Sequence, residues 1–155
     1  EDLVKTFNVC HICGTGEGHL KFANLKLPNF KYFSYVSEEL AHLYAMADVV
    51  VARAGATTLF ELLALRKPNL LIPLSLGASR GDQIENAASF ARQGFSHVLD
   101  EADLTPTTLV QRLNQTYAER ETMIDAMTSR AAQAADGVDA VMRVIEGESG
   151  MENDE

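Results

Sequence analysis

Short apolar runs alternate with stretches of helical period along this chain. Phe7–Cys13 and Phe30–Val36 read as strands; the first runs into the Gly-rich turn Gly14–Gly18, and the second follows Pro28-Asn29. Glu38–Met46 sets Leu40, Leu43 and Tyr44 at i, i+3 and i+4, one face of a helix. Asp48–Ala52 is a continuous β-branched run, which predicts a strand buried on both faces of a parallel sheet. Thr57–Leu65 is helical, Asn69–Pro73 is a second buried strand, and Gln83–Gln93 is a helix closed by Gly94 at its C′ position. Ser96–Leu99 makes a last short strand. Thr105 as N-cap and Pro106 at N1 then open a long helix, with Leu109, Leu113, Tyr117, Ile124 and Met127 in its apolar series. Gly137 is expected to interrupt it, before a final helix to Gly147 and a disordered acidic tail over residues 148–155.

Strands separated by helices at this spacing predict βαβ units and an α/β fold with a doubly wound parallel sheet. Ligands of such folds lie outside the carboxyl ends of the strands. That singles out four loops: Gly14–Gly18, Val36–Ser37, Arg53–Thr58 and Ser75–Gln83. A length of 155 residues with 46% hydrophobic positions suits one domain, here residues 1–147. The net charge of −9 argues against broad nucleic-acid binding, which needs clustered cations. Apolar runs such as Ala47–Ala52 and Leu70–Leu76 are too short to cross a bilayer. The opening Glu1-Asp2-Leu3-Val4-Lys5 has no initiator Met and no leader pattern, so the chain is expected to begin partway through a longer protein.

Two strand–helix junctions carry candidate chemistry. In Arg53–Glu61, Gly55 and Ala56 let a ligand approach the backbone, and the helix that follows offers free amides suited to phosphate. Thr57, Thr58 and Glu61 share a face near the helix start, where a carboxylate could accept both hydroxyls of a ribose. The same residues also suit a tight turn with a Glu on the helix dipole. In Ser79–Ala87, Asp82, Gln83 and Asn86 occupy a helix start and are natural partners for sugar hydroxyls. Asp82 as N-cap beside two solvated amides is the alternative. Two polar first turns aimed at one crevice count for more than either.

Cys10 and Cys13 form a C-x-x-C spacing within a strand, which puts the sulfurs on opposite faces. No second ligand pair follows, so both are expected to be buried structural cysteines. Gly14–Gly18 imitates a dinucleotide fingerprint, but His19 stands where the pattern needs Gly, and the segment is expected to be a turn.

Ala47–Glu61, Lys67–Leu74 and Ser79–Ala87 closely resemble the C-terminal half of MurG-type glycosyltransferases, which make lipid II from lipid I using UDP-N-acetylglucosamine. The resemblance covers roughly residues 5 to 130 and implies a GT-B fold, two Rossmann-like domains facing across a cleft. Glu61 would bind the ribose, and Ala56, Thr57 and Thr58 the diphosphate and sugar. Asp82, Gln83 and Asn86 would read the sugar hydroxyls, and backbone at Val36 and Ser37 the uracil. No metal or other cofactor is implied. The family's N-terminal domain, with its acceptor site, membrane-docking surface and base, has no counterpart here, so the general base is unassigned. The chain alone is expected to be inactive. The full enzyme would sit peripherally on the cytoplasmic face of the bacterial membrane.

The alternatives are a stand-alone subunit of a split transferase like the dolichol-pathway enzyme, and a UDP-sugar epimerase. The former typically reads N-H-Q where this chain has Gly81-Asp82-Gln83, and the latter needs acid–base groups that find no place here. The resemblance also implies that the first strand of the sheet lies upstream of Glu1. In the strand order 3-2-1-4-5-6 this leaves a gap between Phe7–Cys13 and Asp48–Ala52.

Overall fold

The computed structural model describes residues 3–14, 22, 26–77 and 81–145, with side-chain surroundings to residue 133. The turn at residues 15–18, Ser79, Arg80 and the acidic tail lie outside the described residues. A short helix α1 (Leu3–Thr6) leads into β1 (Val9–Ile12), and β2 (Phe30–Phe33) pairs with β1 in parallel. After α2 (Glu39–Met46) the chain alternates β3 (Val50–Ala52), α3 (Ala56–Ala64), β4 (Asn69–Leu71), α4 (Asp82–Arg92) and β5 (Ser96–Val98). These three strands form a second parallel ladder in the order β3-β4-β5. Helices α5 (Pro106–Ala118) and α6 (Arg120–Ile145) complete the fold.

Strand β4 lies in the middle of its ladder, and its alternating side chains sort the helices to two faces. Leu71 packs with Leu59 of α3, Ala87 and Phe90 of α4, and Met123 and Met127 of α6. Leu70 and Ile72 point the other way, into a cluster with Leu99 and Leu113 that Leu3, Phe7, Val49 and Leu109 border. Helices on both faces of a parallel sheet are the doubly wound arrangement that the alternating pattern predicts. All three residues of β4 are buried, as its apolar run requires.

Strand β3 departs from expectation. It is half-buried, with Val51 45% exposed, because no described strand lies beyond it to bring a covering layer. Strands β1 and β3 fall in separate ladders, as the expected gap between them requires. In β1 the burial alternates, which leaves Cys10 exposed and Cys13 only partly covered. The expectation of two buried cysteines is therefore wrong: the strand has one covered face, and its alternation turns Cys10 outward.

Helix ends follow their residues closely. Gly94 takes φ 76°; its amide bonds to Ala91 O at 3.0 Å, and the Phe95 amide reaches Phe90 O at 3.1 Å, a Schellman closure. Thr105 and Thr108 form a reciprocal capping box across Pro106 at N1. The long C-terminal helix, however, breaks at Glu119 and not at Gly137. Glu119 accepts from the Gln115 side chain at 3.0 Å, and its other oxygen meets His97 Nε2 at 3.1 Å. Before the break Leu113 packs with the Leu70 cluster, after it Met123 and Met127 pack with Leu71, and Tyr117 beside the break is 38% exposed. Gly137 sits inside α6, where glycine costs only about 1 kcal/mol relative to alanine.

Candidate functional site

Gly55, in extended conformation, is the N-cap of α3, and no side chain caps the helix. The Leu59 amide bonds back to Gly55 O at 3.0 Å. The amides of Ala56, Thr57 and Thr58 therefore lie ahead of the first intrahelical bond, at the positive end of the helix dipole. Ala56 and Thr57 are exposed and Thr58 is half-buried. Nothing stands within 4 Å of where a Gly55 side chain would begin, so the approach is open. Glu61 is exposed one turn further on, and its Oε2 accepts from the Tyr44 hydroxyl at 3.5 Å. Burial, and then the Glu61 charge beside it, push the Tyr44 phenol above its ordinary range.

The second junction is built differently from its sequence reading. Gly81, not Asp82, is the N-cap of α4; it adopts φ 91°, a left-handed conformation that suits glycine. Asp82 is thus the first helical residue and is exposed. Gln83 and Asn86 are not solvated amides. Gln83 Oε1 accepts from the Leu74 amide at 3.1 Å, and Asn86 Nδ2 donates to Ala54 O at 3.2 Å. The Asn86 bond ties α4 to the turn before α3, which brings the two first turns together at the carboxyl ends of β3 and β4. Among the described residues, Gln83 Nε2 and Asn86 Oδ1 have no hydrogen-bond partner.

Arg53 is committed to the protein. Its Nη1 donates to Ile72 O at 3.1 Å and to Pro73 O at 3.4 Å, and its Nη2 meets Glu101 Oε1 at 2.8 Å. Glu101 Oε2 accepts from the Ser75 amide at 3.3 Å. The Arg53 hydrogen bond, and then the Ser75 amide, hold the Glu101 carboxyl below the ordinary carboxylate range. One ion pair thus joins the loops after β3, β4 and β5. Sequence reasoning misses Glu101 because no spacing links it to Arg53, 48 residues away. It likewise takes Tyr44 for part of an apolar helix face, since nothing local reveals the partner of its hydroxyl.

Val36 and Ser37 follow β2, in the other ladder. Ser37 is exposed, and its amide is taken by Glu39 Oε2 at 3.3 Å. An open groove of about 510 Å³ runs along Phe30–Tyr35; among the described residues its lining is one strand and its exit, with none of the expected residues. Among the described residues no cluster of three or more His, Cys, Asp or Glu is placed to hold a metal ion. No described helix is long and apolar enough to cross a membrane.

Against this geometry stand the similarities to known proteins. A family model described as the glycosyltransferase family 28 C-terminal domain matches residues 1–141. The UDP-N-acetylglucosamine--N-acetylmuramyl-(pentapeptide) pyrophosphoryl-undecaprenol N-acetylglucosamine transferase of Clostridium kluyveri is 46% identical over 145 residues, 94% of this chain and 40% of that protein. The same-named protein of Geobacillus kaustophilus is 46% identical over 144 residues, 93% of this chain and 39% of its own length. The chain thus spans about two fifths of the curated relatives it matches. Among solved structures, MurG of Acinetobacter baumannii superposes with a TM-score of 0.61 at 26% identity, covering 77% of this chain and 35% of that one. The glycosyltransferase VinC, at TM-score 0.66 but 20% identity over 94% of this chain and 36% of its own, shares the fold.

Proposed function

The chain belongs to the glycosyltransferase family 28 C-terminal domain family, and on that premise we propose that it is the donor-binding part of the enzyme that converts lipid I to lipid II. In this reading the donor is UDP-N-acetylglucosamine. The Ala56, Thr57 and Thr58 amides and hydroxyls meet its diphosphate, Glu61 its ribose, Asp82, Gln83 and Asn86 its sugar, and the Val36–Ser37 backbone its uracil. The observation that carries this reading is the Asn86 bond to Ala54 O, which joins the phosphate-type helix end to the amide-bearing one. A diphosphate held at α3 then places its sugar before the first turn of α4. Transfer also needs an acceptor and a base, which the reading assigns to a second domain, together with lipid I binding and peripheral attachment to the cytoplasmic face of the membrane. No metal or other cofactor takes part in it. The relatives' names and the Ser79–Ala87 wording favour this over a subunit of a split transferase.

Calorimetric titration with UDP, UDP-N-acetylglucosamine and UDP-glucose tests it. Glu61→Ala is expected to weaken UDP by about 1.5–3 kcal/mol, the scale of hydrogen bonds to a charged group. Gln83→Ala is expected to weaken UDP-N-acetylglucosamine more than UDP. Binding of both nucleotides unchanged in both variants would show that the donor sits elsewhere.

A further inference from the structure

Helix α2 (Glu39–Met46) contributes no fully buried residue, and polar ties hold its last turn. Its carboxyl end is held by Lys67, whose ammonium donates to Ala45 O at 3.2 Å and Ala47 O at 3.1 Å, the favourable placement of a cation at a helix C-terminus. Lys67 comes from the connection between α3 and β4, so the last turn of α2 is fixed relative to α3. Tyr44 lies in that last turn, and its hydroxyl reaches Glu61 Oε2 at 3.5 Å. Glu61 is otherwise an exposed side chain with several rotatable bonds, which a ligand would have to immobilise at an entropic cost. A donor on Oε2 restricts the carboxylate's rotation while leaving Oε1 and the second lone pair of Oε2 as acceptors, and two acceptor sites are what a cis-diol needs.

Resting on the ribose role proposed for Glu61, we propose that Tyr44 is a positioning residue that holds the Glu61 carboxylate ready for the two ribose hydroxyls of the nucleotide. It touches no ligand itself. Its raised phenol pKa keeps the hydroxyl protonated, hence a donor, throughout the neutral range.

The experiment is calorimetry on the 155-residue chain with two probes, UDP and 2′,3′-dideoxy-UDP, which lacks the diol. Tyr44→Phe removes only the hydroxyl. It is expected to weaken UDP three- to tenfold and leave dideoxy-UDP at its wild-type affinity. In the Glu61→Ala background, Tyr44→Phe is expected to add nothing. Equal weakening of both probes by Tyr44→Phe would mean a merely structural role and overturn the proposal, as would unchanged UDP binding. Glu61→Ala alone separates the two layers. If it weakens UDP and spares dideoxy-UDP, the ribose role stands whatever Tyr44 does. If it weakens both probes equally or neither, so that it still distinguishes them as well as wild type does, the ribose role falls and takes the Tyr44 proposal with it.

Discussion

Asn86→Ala separates a residue that builds the site from one that only reads the ligand. Asn86 Nδ2 donates to Ala54 O at 3.2 Å across a half-buried contact, and Ala54 itself is fully buried. Truncation removes a hydrogen bond worth about 0.5–1.5 kcal/mol and leaves a carbonyl whose full desolvation costs about 1–3 kcal/mol. The site is open enough for water to recover part of that, so we expect a loss of about 1–2 kcal/mol. For a chain of this size in urea, that lowers the unfolding midpoint by roughly 0.5–1 M. Circular dichroism during urea titration measures it. Ala54 directly precedes the N-cap Gly55, so slack there displaces the amides of Ala56 to Thr58. UDP binding is therefore expected to weaken along with UDP-N-acetylglucosamine binding. An unchanged midpoint, with affinity lost for the sugar nucleotide alone, would show that the bond to Ala54 carries no weight.

Two further outcomes are expected. Glu101 binds its proton less readily folded than unfolded, so its contribution is fully present above the ordinary carboxylate range and is lost as pH falls through the lowered folded value. Glu101→Gln should flatten the acid limb of a plot of melting temperature against pH; parallel limbs in variant and wild type would refute the Arg53 tie. In the ladders, the amides of Val9 and Cys13 face β2 and that of Val50 faces β4, so those of Cys10, Ile12 and Val51 point to edges that no described strand covers. These three should exchange with solvent much faster than the amide of Ile72, which is bonded to Ala52 O; uniform protection across β1 and β3 would show that the edges are already filled.

Much of this architecture is legible in the chain because local chemistry and tertiary role agree. Gly94, Thr105 and Pro106 terminate or start helices for backbone reasons that no packing overrides, and the apolar run of β4 is buried because its ladder has neighbours on both sides. Asp48–Ala52 is also an apolar run yet is half-covered, since composition reports the burial a strand is suited to, whereas actual burial depends on which strands lie beside it. Glu119 breaks a helix that periodicity would carry on, through contacts with β5 that spacing does not encode. At the site, the first turns of α3 and α4 announce themselves by residue type. The bonds of Asn86, Gln83, Arg53 and Tyr44 do not, because each joins residues from 9 to 48 positions apart.

Those long-range bonds give the site its coherence. Val36 and Ser37 exit β2, whereas the phosphate-type amides follow β3, and the two strands belong to different ladders. The described contacts that hold the first ladder to the rest include Leu3 and Phe7 against the Leu70 cluster and the Phe7 ring edge-on to Tyr117. These lie at the amino ends of the strands, opposite the crevice. Helix α2 is a further bridge: it starts from Ser37 past the carboxyl end of β2, is anchored by Lys67 just before β4, and reaches Glu61 through Tyr44. A nucleotide that met uracil contacts on one side and Glu61 on the other would span that bridge. It would then favour the arrangement in which α2 is seated, with a stabilisation that grows as the logarithm of its concentration over Kd. On the proposed reading, the Tyr44 hydroxyl would carry part of that coupling from α2 to Glu61 of α3.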